Sequence, residues 1–554
     1  MKTRRSTLVV SAVAGSVVSA AAHGQVSDKF ADNPVLQSAL NRVYPVSGGG
    51  TDAGGGPDVI VGEIENTGSG DTTTSSSAFV DPFYAYGLGT TSCNISTASS
   101  NGQNLLWRSN TPFHPIIPQN MYRLKTVNGA TRFEQIGYSW SKYAFTALTQ
   151  NVCSIGCNGS GGSVLGMGCS DPYTASRNAS QSTAGPRYEC NPFTGVFPDQ
   201  GQTWRNANWP ATTDATSRRL RVHKDDFNAA LNPGALYFGE AIYITRDDAS
   251  FGNSKNNASY RRFTVNGNGT SITLTGSQGG GVNGTQRTKP AIFAWRDHGN
   301  GVNTPDNSVM ITEVSCGQTF FTQPAYPYNG AQGAGTTLVT PDGDGWIYVA
   351  SKATDLGGGF WNYEYAVFNL NSDRGVGSFR VNIPAGATVS NIEMRQILCH
   401  SGSAADDANR NAAWTQTNTG SDLVWASPNT WNPATPTLGS YIRWGTMCNF
   451  RFIANVAPAS NGSVTLGYYK PLNGYVDTIN AAAHVPGAPP PAACYANCDQ
   501  SSGSPLLTAN DFQCFLNKFA AGDTYANCDG STGTPLLTAN DFQCFLNKFA
   551  AGCT

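Results

Sequence analysis

Short apolar and β-branched runs, broken by Gly, Pro, Asn and Asp, recur along most of the chain and read as strands separated by turns. A first series lies between Ala78 and about Arg296 and includes residues 133–140, 235–244 and 271–275. A second, from about Ser308 to Tyr475, includes 346–349, 361–370, 377–383 and 463–469. One more strand, Asp58-Val59-Ile60-Val61-Gly62, stands within a Gly-, Ser- and Thr-rich stretch from Ser47 to Ser77. Such spacing predicts a mainly β chain with two β-sandwich-like domains, residues 78–300 and 301–485, after a leading segment 25–77. The period changes near the C-terminus. Phe512, Phe515, Leu516 and Phe519 fall three and four apart, as do Phe542, Phe545, Leu546 and Phe549, so two amphipathic helices are expected there.

Composition narrows the picture. Only 13% of the 554 residues are charged, against about 25% in ordinary globular chains, and eight of the acids are Glu. So few strong helix formers agree with strands. A hydrophobic fraction of 39% is enough for a core and argues against disorder. A formal net charge of −2 argues against a basic nucleic-acid binder. Lys2, Arg4 and Arg5 precede an apolar run over 8–22 that ends in Ala20-Ala21-Ala22, the pattern of a signal peptide over 1–24. Thr3-Arg4-Arg5-Ser6-Thr7-Leu8 also resembles a twin-arginine export signal. No later run reaches the eighteen apolar residues of a membrane span. The expectation is an exported protein, extracellular or at the cell surface. Eight of the 14 cysteines then fall between Cys93 and Cys448 and six between Cys494 and Cys553, even counts that suit disulfides.

A Pro-rich linker over 486–493 leads into an internal repeat. Residues 495–522 and 525–552 differ at three positions only, Gln500/Gly530, Ser502/Thr532 and Ser504/Thr534, with a period of 30. Thr508 and Thr538 can cap the two helices, with Asp511 and Asp541 at the positive helix ends, and Gly522 and Gly552 can terminate them. Before each helix, oxygen-bearing side chains alternate: Asn497, Asp499 and Ser501, then Asn527, Asp529 and Ser531. With Thr508 and Asp511, or Thr538 and Asp541, they make a hard-oxygen set suited to Ca²⁺, one ion per copy. The arrangement resembles a dockerin module, and most closely the cysteine-containing dockerin-like tails of secreted bacterial proteins of the planctomycete type. The resemblance covers 494–554. It implies two calcium loop–helix repeats that dock onto a cohesin-like receptor or cell-surface scaffold, with Ala509, Asn510, Ala539 and Asn540 at the contact. Near-identity of the copies implies two docking orientations related by about half a turn. The loop departs from the usual pattern in length: Asp511 lies 14 positions after Asn497, against about 11 in the usual calcium loop. Pairing Cys498 with Cys514 and Cys528 with Cys544 would staple each loop to its helix, and pairing Cys494 with Cys553 would clamp the ends. Six cysteines allow about 15 connectivities, and a stapled helix pair without metal is the alternative reading.

The body carries scattered candidates. Glu240 with Asp247 and Asp248 could form a glycosidase carboxylate pair, or else surface ion pairs and turn caps. Glu364 faces away from Trp361, Tyr363 and Tyr365 and is expected to pair with Arg374 or Arg380. Asp342-Gly343-Asp344-Gly345 reads as a hairpin turn. His114, His223, His298 and His400 show no metal-binding spacing, and Cys399-His400-Ser401 has no nucleophile elbow around it. Cys153, Cys157, Cys169 and Cys190 suggest two disulfides. The strings F-E-Q-I-G-Y-S-W, W-N-Y-E-Y-A-V-F-N-L-N-S-D-R and I-R-W-G-T-M-C-N-F-R-F resemble those of secreted bacterial β-proteins that carry such tails, which implies a shared fold and no activity. Two functions follow: a non-catalytic binding or structural protein displayed through its tail, or a glycoside hydrolase acting on polysaccharide and anchored by the same tail.

Overall fold

A computed structural model describes residues 56–64, 78–96, 104–143, 145–159, 161–198, 201–275, 283–316, 345–435, 438–471, 476–487, 494–501 and 505–552. The proposed signal segment, most of 25–77, the linker positions 488–493, Asp342 to Asp344 and Cys553 lie outside them. Strands exceed helices in the described chain. The expected strands appear close to their sequence bounds, as Ala130–Tyr138, Leu236–Ile242, Ser271–Leu274, Phe360–Asn369, Val376–Asn382 and Ser463–Tyr468. The strand at 346 runs longer, Trp346–Gly357, because its hairpin turns only at Gly357, Gly358 and Gly359. All three have positive φ, 81°, 63° and 82°, which glycine tolerates without strain.

The largest sheet has eight antiparallel strands, and one sheet of the fold curls as a half-barrel. The order in the eight-stranded sheet is Ser271–Leu274, Ala258–Asn266, Leu236–Ile242, Gln119–Val127, Ala130–Tyr138, Leu220–His223, Phe83–Tyr86 and Ala78–Val80. A five-stranded sheet follows the order Met310–Ser315, Trp346–Gly357, Phe360–Asn369, Thr446–Ala454 and Val389–Gln396. A second five-stranded sheet contains Thr415–Asn418, Asp422–Ala426, Val376–Asn382, Ser463–Tyr468 and Thr478–Ala482.

Side-chain alternation stacks these sheets. In Phe360–Asn369, Tyr363, Tyr365 and Val367 enter a core shared with Phe379, Trp425 and Leu466 of the second five-stranded sheet. Phe379 lies flat on Phe450 with centroids 4.4 Å apart. Ala366 and Phe368 point the other way, into a core shared with Tyr122, Phe133 and Phe238 of the eight-stranded sheet. The first five-stranded sheet is therefore a middle layer, buried on both faces, and one core joins residues from either side of position 300. In Val376–Asn382 both Val376 and Phe379 are buried although an odd number of positions separates them. A register shift between Val376 and Ser378 reverses the parity between them.

Charged groups also cross between layers. Glu134, 2% exposed, is reached by Arg123 at 2.7 Å, Arg451 at 3.2 Å and Arg395 at 3.7 Å. Burial alone would raise its pKa, but Arg395 and Arg123 hold it at about 2. Glu364 pairs with Arg132 at 2.6 Å and Arg451 at 3.7 Å, not with the expected Arg374 or Arg380. Arg380 instead forms a two-pronged pair with Asp422 across the neighbouring strand.

Candidate functional site

Local sequence builds the tail twice. The helices are Ala509–Ala520 and Ala539–Ala551. Thr508 Oγ1 accepts the Asn510 N–H at 3.2 Å, and Asp511 Oδ2 accepts the Thr508 N–H at 2.8 Å, closing a capping box. Thr538, Asn540 and Asp541 repeat these bonds at 3.2 and 2.8 Å. The first helix stops before Gly522, whose φ of 70° lets its N–H turn back to the Phe519 carbonyl. Phe515 and Phe545 are fully buried and stack on each other, centroids 4.1 Å apart and 14° from parallel.

The two copies are related by reciprocal contacts. The Tyr495 hydroxyl donates to the Tyr525 carbonyl, and the Tyr525 hydroxyl donates to the Tyr495 carbonyl. Their rings stack at 4.8 Å. Lys518 sits over Tyr525 at 4.7 Å and Lys548 over Tyr495 at 4.4 Å. Disulfides Cys498–Cys514 and Cys528–Cys544 staple loop to helix as expected. Each closes a ring of the size that contributes on the order of 3 kcal/mol. Cys494 is also disulfide-bonded. The tyrosine clasp escaped the sequence reading, although Tyr495 and Tyr525 occupy equivalent repeat positions.

The loops gather the oxygen-bearing residues. Asn497 Nδ2 donates to the Ser501 carbonyl at 2.9 Å, and the Ser501 N–H donates to Asp499 Oδ1 at 2.9 Å. The Asp499 N–H donates to Asp511 Oδ1 at 3.2 Å, which ties the loop to the first helical turn. Asn527, Ser531, Asp529 and Asp541 repeat these bonds at 2.8, 2.9 and 3.1 Å. Asp511 and Asp541 are fully buried. Burial would raise the Asp541 pKa, but bonds from the main-chain N–H groups of Thr538 and Asp529 bring it below the usual carboxylate value. The Ser501 N–H, above other contributions, lowers that of Asp499. In both copies one oxygen is left over. Asn497 Oδ1 and Asn527 Oδ1 are shielded from solvent and accept no hydrogen bond. A hard cation coordinated by loop oxygens is the chemistry that such acceptors suit. Among the described residues no group of three His, Cys, Asp or Glu is placed to hold a metal, and each loop contributes two carboxylates with neutral oxygens beside them. Ala509, Asn510, Ala539 and Asn540 are exposed at the helix starts.

The body candidates do not converge on a cleft. Glu240 is fully buried and accepts bonds from Asn120 Nδ2 and the Tyr122 hydroxyl at 2.8 Å and from the Ala291 N–H at 2.6 Å. Burial raises its pKa. Asp247 accepts the Leu106 N–H at 2.7 Å, and Asp248 the Val59 N–H at 2.9 Å. His400 Nε2 lies 2.8 Å from the Tyr138 carbonyl, and burial lowers its pKa to about 3. His298 packs on Phe238, and His114 between Tyr143 and Phe197. Cys153 pairs with Cys93 and Cys157 with Cys169, whereas Cys190 keeps a free, buried thiol. The four-cysteine set read from sequence thus exchanges Cys190 for Cys93. No protein-family description and no curated protein matches the chain.

Proposed function

We propose that the chain is an exported, non-catalytic modular protein whose C-terminal repeats form a dockerin-like unit. That unit binds two Ca²⁺ and docks to a cohesin-like receptor or cell-surface scaffold. The observation that carries the reading is the pair of buried, unpartnered amide oxygens, Asn497 Oδ1 and Asn527 Oδ1, at equivalent places in two oxygen-rich loops. Asn497, Asp499, Ser501 and Asp511 would hold one ion, with Thr508 fixing Asp511, and Asn527, Asp529, Ser531, Thr538 and Asp541 do the same in the second copy. Calcium would neutralise the loop carboxylates and rigidify the exposed pairs Ala509–Asn510 and Ala539–Asn540. The near-twofold clasp supports docking in either of two orientations. Disulfides in both body and tail agree with an oxidising, exported setting. We further read the two stacked five-stranded sheets as a β-sandwich with a binding or structural role. A glycoside hydrolase acting on polysaccharide is not our reading: the carboxylates of Glu240, Asp247 and Asp248 are buried and engaged by framework donors.

Calorimetry on the chelator-stripped full chain tests the proposal. Calcium-binding heats that fall by two equivalents per chain in the Asn497→Ala, Asn527→Ala double variant sustain it. Identical heats in wild type and variant overturn it.

A further inference from the structure

A second set of hard oxygens lies in the body, where the segment between strands Leu236–Ile242 and Ala258–Asn266 folds over the leading strand Val59–Glu63. Asp248 is fully buried there. Its Oδ1 accepts the Val59 N–H at 2.9 Å and its Oδ2 accepts Asn257 Nδ2 at 2.7 Å. Asp58, 1% exposed, accepts Asn256 Nδ2 on both oxygens, at 3.0 and 3.2 Å. Burial and then the Asp58 charge push the Asp248 carboxyl well above its ordinary range, and Asp247 adds to the effect. The groups pressing on this buried carboxyl are thus two more acids.

The amides supply a separate observation. Asn257 is fully buried, its Nδ2 engaged by Asp248 and by the Tyr243 carbonyl at 2.9 Å, and its Oδ1 accepts no hydrogen bond. Asn256 Oδ1, on the amide held by Asp58, is likewise buried without a donor. Two amides, each bonded to one of the two carboxylates, therefore carry bare acceptor oxygens. Native interiors rarely leave such acceptors empty-handed, and an orphan oxygen points to an ion or a water as its partner. Two buried acids whose charges press on one another, held by amides that carry bare oxygens, suit an ion better than a water, which would not relieve the repulsion.

We propose that Asp58, Asp248 and the amide oxygens of Asn256 and Asn257 form a buried Ca²⁺ site that pins the leading strand to the body. Two carboxylates with neutral oxygens fit the irregular, all-oxygen shell of Ca²⁺. The absence of His and Cys from the set disfavours Zn²⁺. The site is independent of the tail reading, since it shares no residue with the repeats.

The test uses the full chain carrying Asp499→Ala and Asp529→Ala, which removes the tail carboxylates. Calcium should still bind at one equivalent, and at 100 times its Kd should raise the melting temperature of the body by on the order of 5 °C over the chelator-treated protein. Adding Asp248→Asn, which keeps an acceptor for the Val59 N–H, should abolish both the equivalent and the rise. In chelator the same variant should melt no lower than its parent, because it relieves the acidic repulsion. No bound calcium and no shift in the parent overturn the proposal, leaving a carboxyl pair that shares a proton. Calcium retained undiminished by the folded Asp248→Asn variant overturns it equally. Should that variant fail to fold, the parent's own calcium equivalent and melting shift decide.

Discussion

The repeat isolates one backbone position at which chemistry differs between otherwise matching copies. Gln500 and Gly530 both adopt the left-handed region, with φ of 55° and 69°. Only the glycine does so without strain. Gln500→Gly should therefore stabilise the first loop by about 1 kcal/mol, and Gly530→Gln should destabilise the second by a similar amount. Amide exchange of Asp499 and Ser501, set against Asp529 and Ser531, measures both. Equal exchange in wild type and variants would contradict the argument. At the same scale lie the orphan oxygens of Asn497 and Asn527. Composition places oxygens in a loop, but only packed coordinates reveal which of them lacks a donor.

Elements were the most legible level. Strand positions came through because each apolar run ends at turn residues, and the helices because capping residues, a phenylalanine face and a terminal glycine coincide in each repeat. Partners across the sheets did not come through. Glu364 meets Arg132 at a separation of 232 residues, whereas the nearer Arg380 lies on another sheet beside Asp422. Glu240 drew attention, with Asp247 and Asp248 close in sequence, as one half of a carboxylate pair. Leu236–Ile242 is buried on both faces, so alternation could not show that its carboxylate meets Asn120, Tyr122 and a backbone N–H. Cys93 joins Cys153 from 60 residues away, a closure that local cysteine spacing does not reveal. Within the tail, Phe515 and Phe545 hold the helices together. Phe515→Ala should cost about 3–5 kcal/mol and lower exchange protection in both helices. Loss confined to the first helix would contradict a shared core.

At the scale of the whole molecule, three stacked sheets are joined through apolar cores and through the ion cluster around Glu134. Glu134→Gln leaves Arg123, Arg395 and Arg451 without their shared carboxylate and should cost about 3–5 kcal/mol in denaturant unfolding. Its pH signature follows from a folded pKa of about 2 against an ordinary 4.5. A depressed carboxyl contributes stability above the ordinary value and loses it as the pH falls from about 4.5 to about 2. Wild type should thus lose about 3 kcal/mol more than Glu134→Gln across that window. Parallel pH profiles would contradict the cluster's role. Among the described residues no helix is long and apolar enough to cross a membrane, a statement that does not extend to β-barrels. The most direct test is equilibrium dialysis that counts calcium per chain in wild type and in the Asp499→Ala, Asp529→Ala variant. The account predicts a difference of two ions, and no difference between the two proteins would contradict it.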